Sequence, residues 1–174
     1  ERPSIACPAD VTVSADLGSC SATNVVLGAP TSTNDNCGVS TVVNNGSEPY
    51  AVGTNLVVWT VTDIHDNQSS CTQQVIVVDD QAPSISCPAA VTVNADLGQC
   101  SATSVNLGTP STNDNCGVAS VVHDGSEPYA VGTNAVVWTV TDVHGNSSTC
   151  TQQVIVVDDQ SPSLSCPTNM VMGT

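Results

Sequence analysis

The chain repeats itself. The segment CPADVTVSADLGSCSAT from Cys7 returns as CPAAVTVNADLGQCSAT from Cys87, and NDNCGV, GSEPYAVGTN, VVWTVTD and CTQQVIVVDDQ return in the same order. Whatever fold forms must therefore be built twice, in units of ~80 residues. The organisation read from this is a first repeat over 1–80, a second over 81–159, and over 160–174 the start of a third repeat or a strand donated to a neighbour. The first copy has one more residue than the second between its second and third Cys, close to Pro30, where a loop absorbs an insertion. The third copy opens at Ser163-Leu164-Ser165-Cys166-Pro167, and the sequence begins without Met, so the expectation is a piece of a longer secreted protein.

The residues inside each unit point to strands. Val11/Val13/Ala15, Val57/Trp59/Val61 and Val75/Val77 alternate with neighbours of opposite parity, as on strands with one buried face. Thr, Val and Ile fill these runs, while Asn44-Asn45-Gly46-Ser47 and Asp66-Asn67-Gln68-Ser69 supply turns. No helical apolar stripe is present. The expected fold class is all-β, with tandem, disulfide-stabilised sandwiches of ~7 strands each. In the first unit strands are expected near 4–7, 10–15, 21–28, 38–44, 49–52, 54–63 and 71–79, the last two forming a hairpin around 64–70.

Charge narrows the partners. The chain has 16 acidic residues against a single Lys or Arg, which is Arg2, and a formal charge of −15. Nucleic acid and anionic membrane surfaces both need clustered cations, so both are excluded, and metal cations are the natural ligands. No apolar run is long enough to span a bilayer. Nine Cys with no CxxC pair indicate an oxidising, extracellular or cell-surface setting, where disulfides support cores containing only 2% aromatic residues.

The stretch Asp-Asp-Gln-Ala-Pro-Ser-Ile-Ser-Cys-Pro over 79–88, the Val-Gly-Thr-Asn before Val-Val-Trp-Thr-Val-Thr-Asp, and the closing Cys-Thr-Gln-Gln-Val-Ile-Val-Val-Asp resemble the hyalin repeat. That resemblance covers essentially the whole chain and implies immunoglobulin-like sandwiches in extracellular, often adhesive or matrix-forming, tandem arrays. The family's Asp-x-x-Gly-Asn turn stands as Asp142-Val143-His144-Gly145-Asn146, whereas the first unit has Asp66 in place of the Gly.

Four Cys per unit allow three pairings. Adjacent parallel first and last strands would place Cys7 with Cys71 and Cys87 with Cys150, leaving Cys20 with Cys37 and Cys100 with Cys116. A strict up-and-down path puts Cys20 and Cys37 at opposite ends of one strand. The family resemblance treats these two as a separable pair, which a folded-back 28–37 loop would permit. Cys166 has no partner within the chain on this reading, and would pair with a Cys of a continued third repeat or of another chain.

Acidic residues gather in loops: Asp79-Asp80 and Asp158-Asp159 at the ends of the repeats, Asn34-Asp35-Asn36 and Asn113-Asp114-Asn115 ahead of a Cys, and Asp63/Asp66/Asn67 and Asp142/Asn146 in the hairpin loop. In a sandwich the loop before the third strand, the hairpin loop and the incoming linker share one end. Asp79, Asp80, Asn113, Asp114, Asp142 and Asn146 are thus expected around one point, with Asp35, Asp63, Asn67, Asp158 and Asp159 as counterparts. Carboxylates so gathered repel unless a cation neutralises them, and Ca2+ takes oxygen ligands of these types. The plain alternative is solvated turn residues. His65, His123 and His144 read as isolated loop or strand residues, and Trp59 and Trp138 as core.

No nucleophile elbow, phosphate loop or His-Glu-x-x-His is present, so the expectation is no enzyme. The reading is a structural repeat of an extracellular fibre or cell-surface stalk, rigidified by inter-repeat calcium and intra-repeat disulfides. Its partners would be neighbouring repeats or identical chains in a filament. Strand addition through the 49–52 edge or through Ser163–Thr174 would link such chains. The rival is an adhesive module that binds a glycan or protein receptor through Gly46–Tyr50 and Gly125–Tyr129. Asn45, Asn67 and Asn146 occupy Asn-x-Ser/Thr sequons, and the lone Arg precedes Pro, leaving essentially no tryptic site.

Overall fold

A computed structural model of the chain describes residues 1–166. The first repeat contains β1 (Ser4–Ala6), β2 (Val11–Ser14), β3 (Ser21–Ala22), β4 (Ser32–Asn34), β5 (Val39–Asn44), β6 (Tyr50–Ala51), β7 (Gly53–Asp63) and β8 (Gln68–Val78). The second repeats the series as β9 (Ser84–Ser86), β10 (Val91–Asn94), β11 (Ser101–Ala102), β12 (Ser111–Asn113), β13 (Val118–His123), β14 (Tyr129–Ala130), β15 (Gly132–Asp142) and β16 (Ser147–Val157). The fold is all-β, with eight strands in each repeat. In the first, a four-stranded sheet of order β2-β8-β7-β5 is accompanied by two short ladders, β1-β4 and β3-β6.

The period-two pattern selects the core. Along β7, Val57, Trp59 and Val61 are buried, and along β8 so are Gln73, Val75 and Val77. These strands pair antiparallel with Trp59 opposite Cys71, while β2 runs parallel to β8 with Val13 opposite Val77. Ala22 and Tyr50, from the β3-β6 ladder, close the cluster from the other side. Phe is absent, so branched aliphatics, one Trp and one Tyr fill each core.

The strand readings differ from the structure in two places. The strand expected over 21–28 shrinks to β3, because Asn24 takes a positive φ of 56° and turns the chain. Within the 28–37 loop lies β4, which pairs antiparallel with β1. The expected edge at 49–52 is largely taken up by the β3-β6 ladder.

Backbone contacts divide the chain into two compact units that do not follow the sequence repeat. The first comprises 1–84, 112–121 and 140–148; the second comprises 85–111, 122–139 and the chain from 149 onward. Residues 160–166, expected to open a third repeat, carry no strand, and 167–174 lie outside the described residues.

Disulfides join Cys7 to Cys71 and Cys87 to Cys150, across 64 and 63 positions. The expected Cys20–Cys37 and Cys100–Cys116 pairs do not form. Cys20 is bonded instead to Cys116, with Cα atoms 4.8 Å apart, and Cys37 and Cys100 are free and exposed. The reason is strand length. Cys20 lies at the end of β8 near Val78, where Ala15 N–H donates to the Val78 carbonyl and Val52 N–H to that of Cys20. Cys37 adjoins Gly38, whose carbonyl accepts from Ile64 at the opposite end. Eleven residues of strand separate those ends by roughly 33 Å, far beyond the ~4.4–6.8 Å that a disulfide spans between Cα atoms.

Candidate metal centre

Three loop segments within the first compact unit build the site: residues 79–81 after β8, 113–117 after β12, and 142–146 between β15 and β16. Each is shaped by a carboxylate that accepts from its own backbone. Asp142 Oδ1 accepts from the amides of His144 and Asn146, both at 2.8 Å, and its Oδ2 accepts from Asn146 Nδ2 at 2.8 Å. Asp114 Oδ2 accepts from the Cys116 and Gly117 amides, each at 2.8 Å. Asp79 Oδ1 accepts from the Gln81 amide at 3.2 Å. Such Asx-type turns are the local reason that Asp stands at these positions.

The folded turns bring Asp79, Asp114 and Asp142 together, with a carboxylate oxygen of each within 4.8 Å of the others. Asp79 and Asp142 are buried, at 5% and 2% exposure. Asp114 Oδ1 is buried and has no hydrogen-bond partner. An orphaned, buried carboxylate oxygen beside two further carboxylates is a donor set suited to a hard cation. Asn146 ties the group together, its Nδ2 also donating to the Asp79 carbonyl at 3.1 Å. A shallow groove lined by Leu17, Gln81, Asn113 and Asp114 borders the cluster.

Asp142 feels two opposed influences. Burial pushes its carboxyl up, but the Asn146 side chain and the His144, Asn146 and Gly145 amides outweigh this and hold it below the usual range. Asp63 is held low first by the Asn67 side chain, against burial, with help from the Asn67 and His65 amides and the nearby His65 ring. Both groups are thus kept ionised, as ligands must be.

Sequence reasoning missed two members of this group. Asn115 Nδ2 donates to Asp79 Oδ1 at 3.1 Å and to the Ser19 carbonyl at 3.0 Å. His144, read as isolated, places Nδ1 3.0 Å from Asp79 Oδ2. Both lie within motifs already noticed, yet no spacing rule announces that they face Asp79. Cys116 also neighbours Asp79 and His144, but its sulfur is committed to Cys20 and is no thiolate.

The remaining expected ligands stand elsewhere. Asp80 is exposed and accepts from Ser14 Oγ at 2.7 Å, and Asn113 uses its carbonyl to accept from Ser84 Oγ at 3.0 Å. Asp35, Asp63 and Asn67 reproduce the turns of Asp114, Asp142 and Asn146, and Asp35 Oδ1 is likewise buried without a partner. Asp158, the counterpart of Asp79, is exposed and accepts from Gln160, while Asp159 accepts from Asn94. The complete carboxylate triad therefore forms once among the described residues, with partial sets in both repeats.

The loops of the rival reading are tied down. Glu48 accepts from the Asn24 and Val25 amides, and Glu127 from those of Ser104 and Val105. Asn67 and Asn146, in two of the sequons, spend their side-chain amides on Asp63 and Asp142.

Residues 78–156 match the HYR domain. Hyalin of Lytechinus variegatus is 30% identical over 82% of this chain and 28% of its own length. Hyalin of Strongylocentrotus purpuratus is 32% identical over 97% of this chain, which spans only 15% of that protein. Among solved structures, protocadherin gamma C5 EC1-3 aligns with a TM-score of 0.40 and 14% identity, covering 89% of this chain and 68% of that one. The first repeat carries the same ordered motifs as the matched residues, so the likeness to the HYR domain extends along both repeats.

Proposed function

We propose that this chain is a non-enzymatic structural segment of an extracellular, adhesion-related assembly, in which Ca2+ held by Asp79, Asp114 and Asp142 fastens the end of one hyalin repeat to the loops of the next. The observation that carries this reading is the buried, unpartnered Asp114 Oδ1 beside two buried carboxylates. Charge decides against histidine as sole counter-ion. A protonated His144 would bring one positive charge to three negative ones, whereas a divalent cation brings two and supplies coordination to the orphaned oxygen. The oxygens of Asn115 and Asn146 are of the right class to join, since their amide nitrogens are already engaged. Calcium in place would make the Asp79 segment and the 113–117 and 142–146 loops one rigid body, which suits a load-bearing repeat.

The test is calorimetric titration of the whole chain with CaCl2 after chelator treatment. The reading requires saturable binding that Asp114→Asn and Asp142→Asn each weaken at least tenfold, with Asp80→Asn unaffected. Heats indistinguishable from dilution would end it.

A further inference from the structure

We infer that the Cys20–Cys116 disulfide masks a zinc site, and that once it is reduced Cys20, Cys116, His144 and Asp79 take up Zn2+ and keep residues 20 and 116 tied. The Cys116 sulfur, a ring nitrogen of His144 and a carboxylate oxygen of Asp79 already lie within 4.8 Å of one another. Tetrahedral zinc, with bonds of ~2.0–2.3 Å, holds its ligand atoms roughly 3.3–3.8 Å apart, so these three need only draw inward. Cys20 Sγ is bonded to Cys116 Sγ and so stands beside the same point as a fourth ligand. All four residues belong to the first compact unit.

The surroundings suit such a centre. Asn115 Nδ2 donates to Cys116 Sγ at 3.3 Å and to the Ser19 carbonyl at 3.0 Å, so one amide steadies both cysteine-bearing segments. Outer hydrogen bonds of this kind orient metal ligands. His144 Nδ1 stands 3.0 Å from Asp79 Oδ2, and the His144 side chain is 34% exposed, which gives a metal ion a way in. Sulfur changes the class of cation. Oxidised, the cluster offers oxygens and one ring nitrogen; reduced, it gains two thiolates, which favour zinc over calcium.

Exposure decides which disulfide opens first. Cys20 is exposed, whereas Cys7, Cys71, Cys87 and Cys150 are half-buried and pack against the two cores. A reducing thiolate must reach the sulfur it attacks. A dithiol reductant attacks Cys20 Sγ and expels the Cys116 thiolate; its second thiolate then closes on its first sulfur and releases Cys20. Two electrons pass to the protein sulfurs, and the reductant leaves as a cyclic disulfide. Zinc binds both cysteines as thiolates, their protons passing to solvent. An oxidising setting keeps the disulfide shut, so zinc marks the reduced chain.

The inference uses neither Asp114 nor Asp142 and stands apart from the calcium reading. The whole chain with Cys37→Ser, Cys100→Ser and Cys166→Ser is treated with limiting dithiothreitol, desalted without air and titrated with CoCl2, a coloured stand-in for zinc. The expected result is one cobalt per chain, with thiolate-to-cobalt absorption and tetrahedral visible bands that ZnCl2 bleaches and that the oxidised chain lacks. ZnCl2 should also raise the thermal midpoint of the reduced chain. His144→Ala should weaken cobalt binding about tenfold or more. Cys20→Ser with Cys116→Ser should abolish the sulfur band, while Asp114→Asn should keep it whatever it does to calcium. Cys20→Ser alone frees the Cys116 thiol without reductant and should retain a weaker band. Retained Cys7–Cys71 and Cys87–Cys150 peptides report that each variant folds. Absence of the sulfur band from both the reduced chain and Cys20→Ser, an undiminished band in His144→Ala, or peptide maps in which Cys7–Cys71 or Cys87–Cys150 opens before Cys20–Cys116 would each overturn it.

Discussion

Trp59 donates its indole N–H to Oε1 of Gln73 across the β7-β8 pair at 3.0 Å, and Trp138 repeats the bond with Gln152 at the same distance. Gln73 is fully buried, and its Nε2 reaches the carbonyls of Ala9 and Leu27. One amide thus holds the core Trp and two irregular segments that no ladder satisfies. Gln152→Leu would leave the Trp138 N–H and the Leu107 and Ala89 carbonyls without it, and a buried orphan costs about 1–3 kcal/mol, so a loss of about 3 kcal/mol is expected in urea unfolding.

The hairpin turn tests a backbone argument. Asp66 takes a φ of 67° where Gly145 takes 94°, so both turns use the left-handed region although only one has a glycine. Asp66→Gly should raise stability by about 0.5–1 kcal/mol, and Gly145→Ala should lower it by about 1–2 kcal/mol, both read from urea midpoints.

Alkaline pH should unfold the chain through its two tyrosines. Burial pushes the Tyr50 hydroxyl above its ordinary value near 10, with Glu48 adding to it, and Tyr129 is raised by burial and then by Glu127 and Asp124. A raised acid favours the folded state while protonated. That contribution is complete below the unfolded value and is lost as pH climbs through the folded one. Thermal midpoints in a background with Cys37, Cys100 and Cys166 changed to Ser should fall above pH 10, and Tyr50→Phe with Tyr129→Phe should flatten that fall.

The long β7-β8 hairpin and the Val/Trp alternation were legible because a half-buried strand imposes period two on its own residues. The convergence of Asp79, Asp114 and Asp142 was also legible, from which loops share an end of a sandwich. What stayed hidden depends on distance across the fold. Gln73 reads as an ordinary polar residue among Thr and Gln until its acceptors are known. His144 gains meaning only beside Asp79, and Asp80 looks equal to Asp79 until the fold sets it against Ser14. The Cys20–Cys116 bond joins residues 96 positions apart in different repeats, which no spacing within a repeat announces, although β8 is too long for Cys20 and Cys37 to meet.

Removing the 63-position loop closure of Cys87–Cys150 by a double Cys→Ala change should cost about 4 kcal/mol on the chain-entropy account. Guanidinium midpoints would check it, and a loss under about 1 kcal/mol would speak against that account here.

Most direct is thermal unfolding of the intact chain and of Asp114→Asn, each in saturating calcium and in chelator. A ligand at a hundredfold its dissociation constant adds about 2.7 kcal/mol, so calcium should raise the wild-type midpoint by several degrees. In chelator the order should reverse, with Asp114→Asn at least as stable as wild type, because the neutral amide removes one of three crowded charges while an oxygen remains for the Cys116 and Gly117 amides. Coincident wild-type curves in calcium and chelator, with Asp114→Asn less stable in both, would contradict the account.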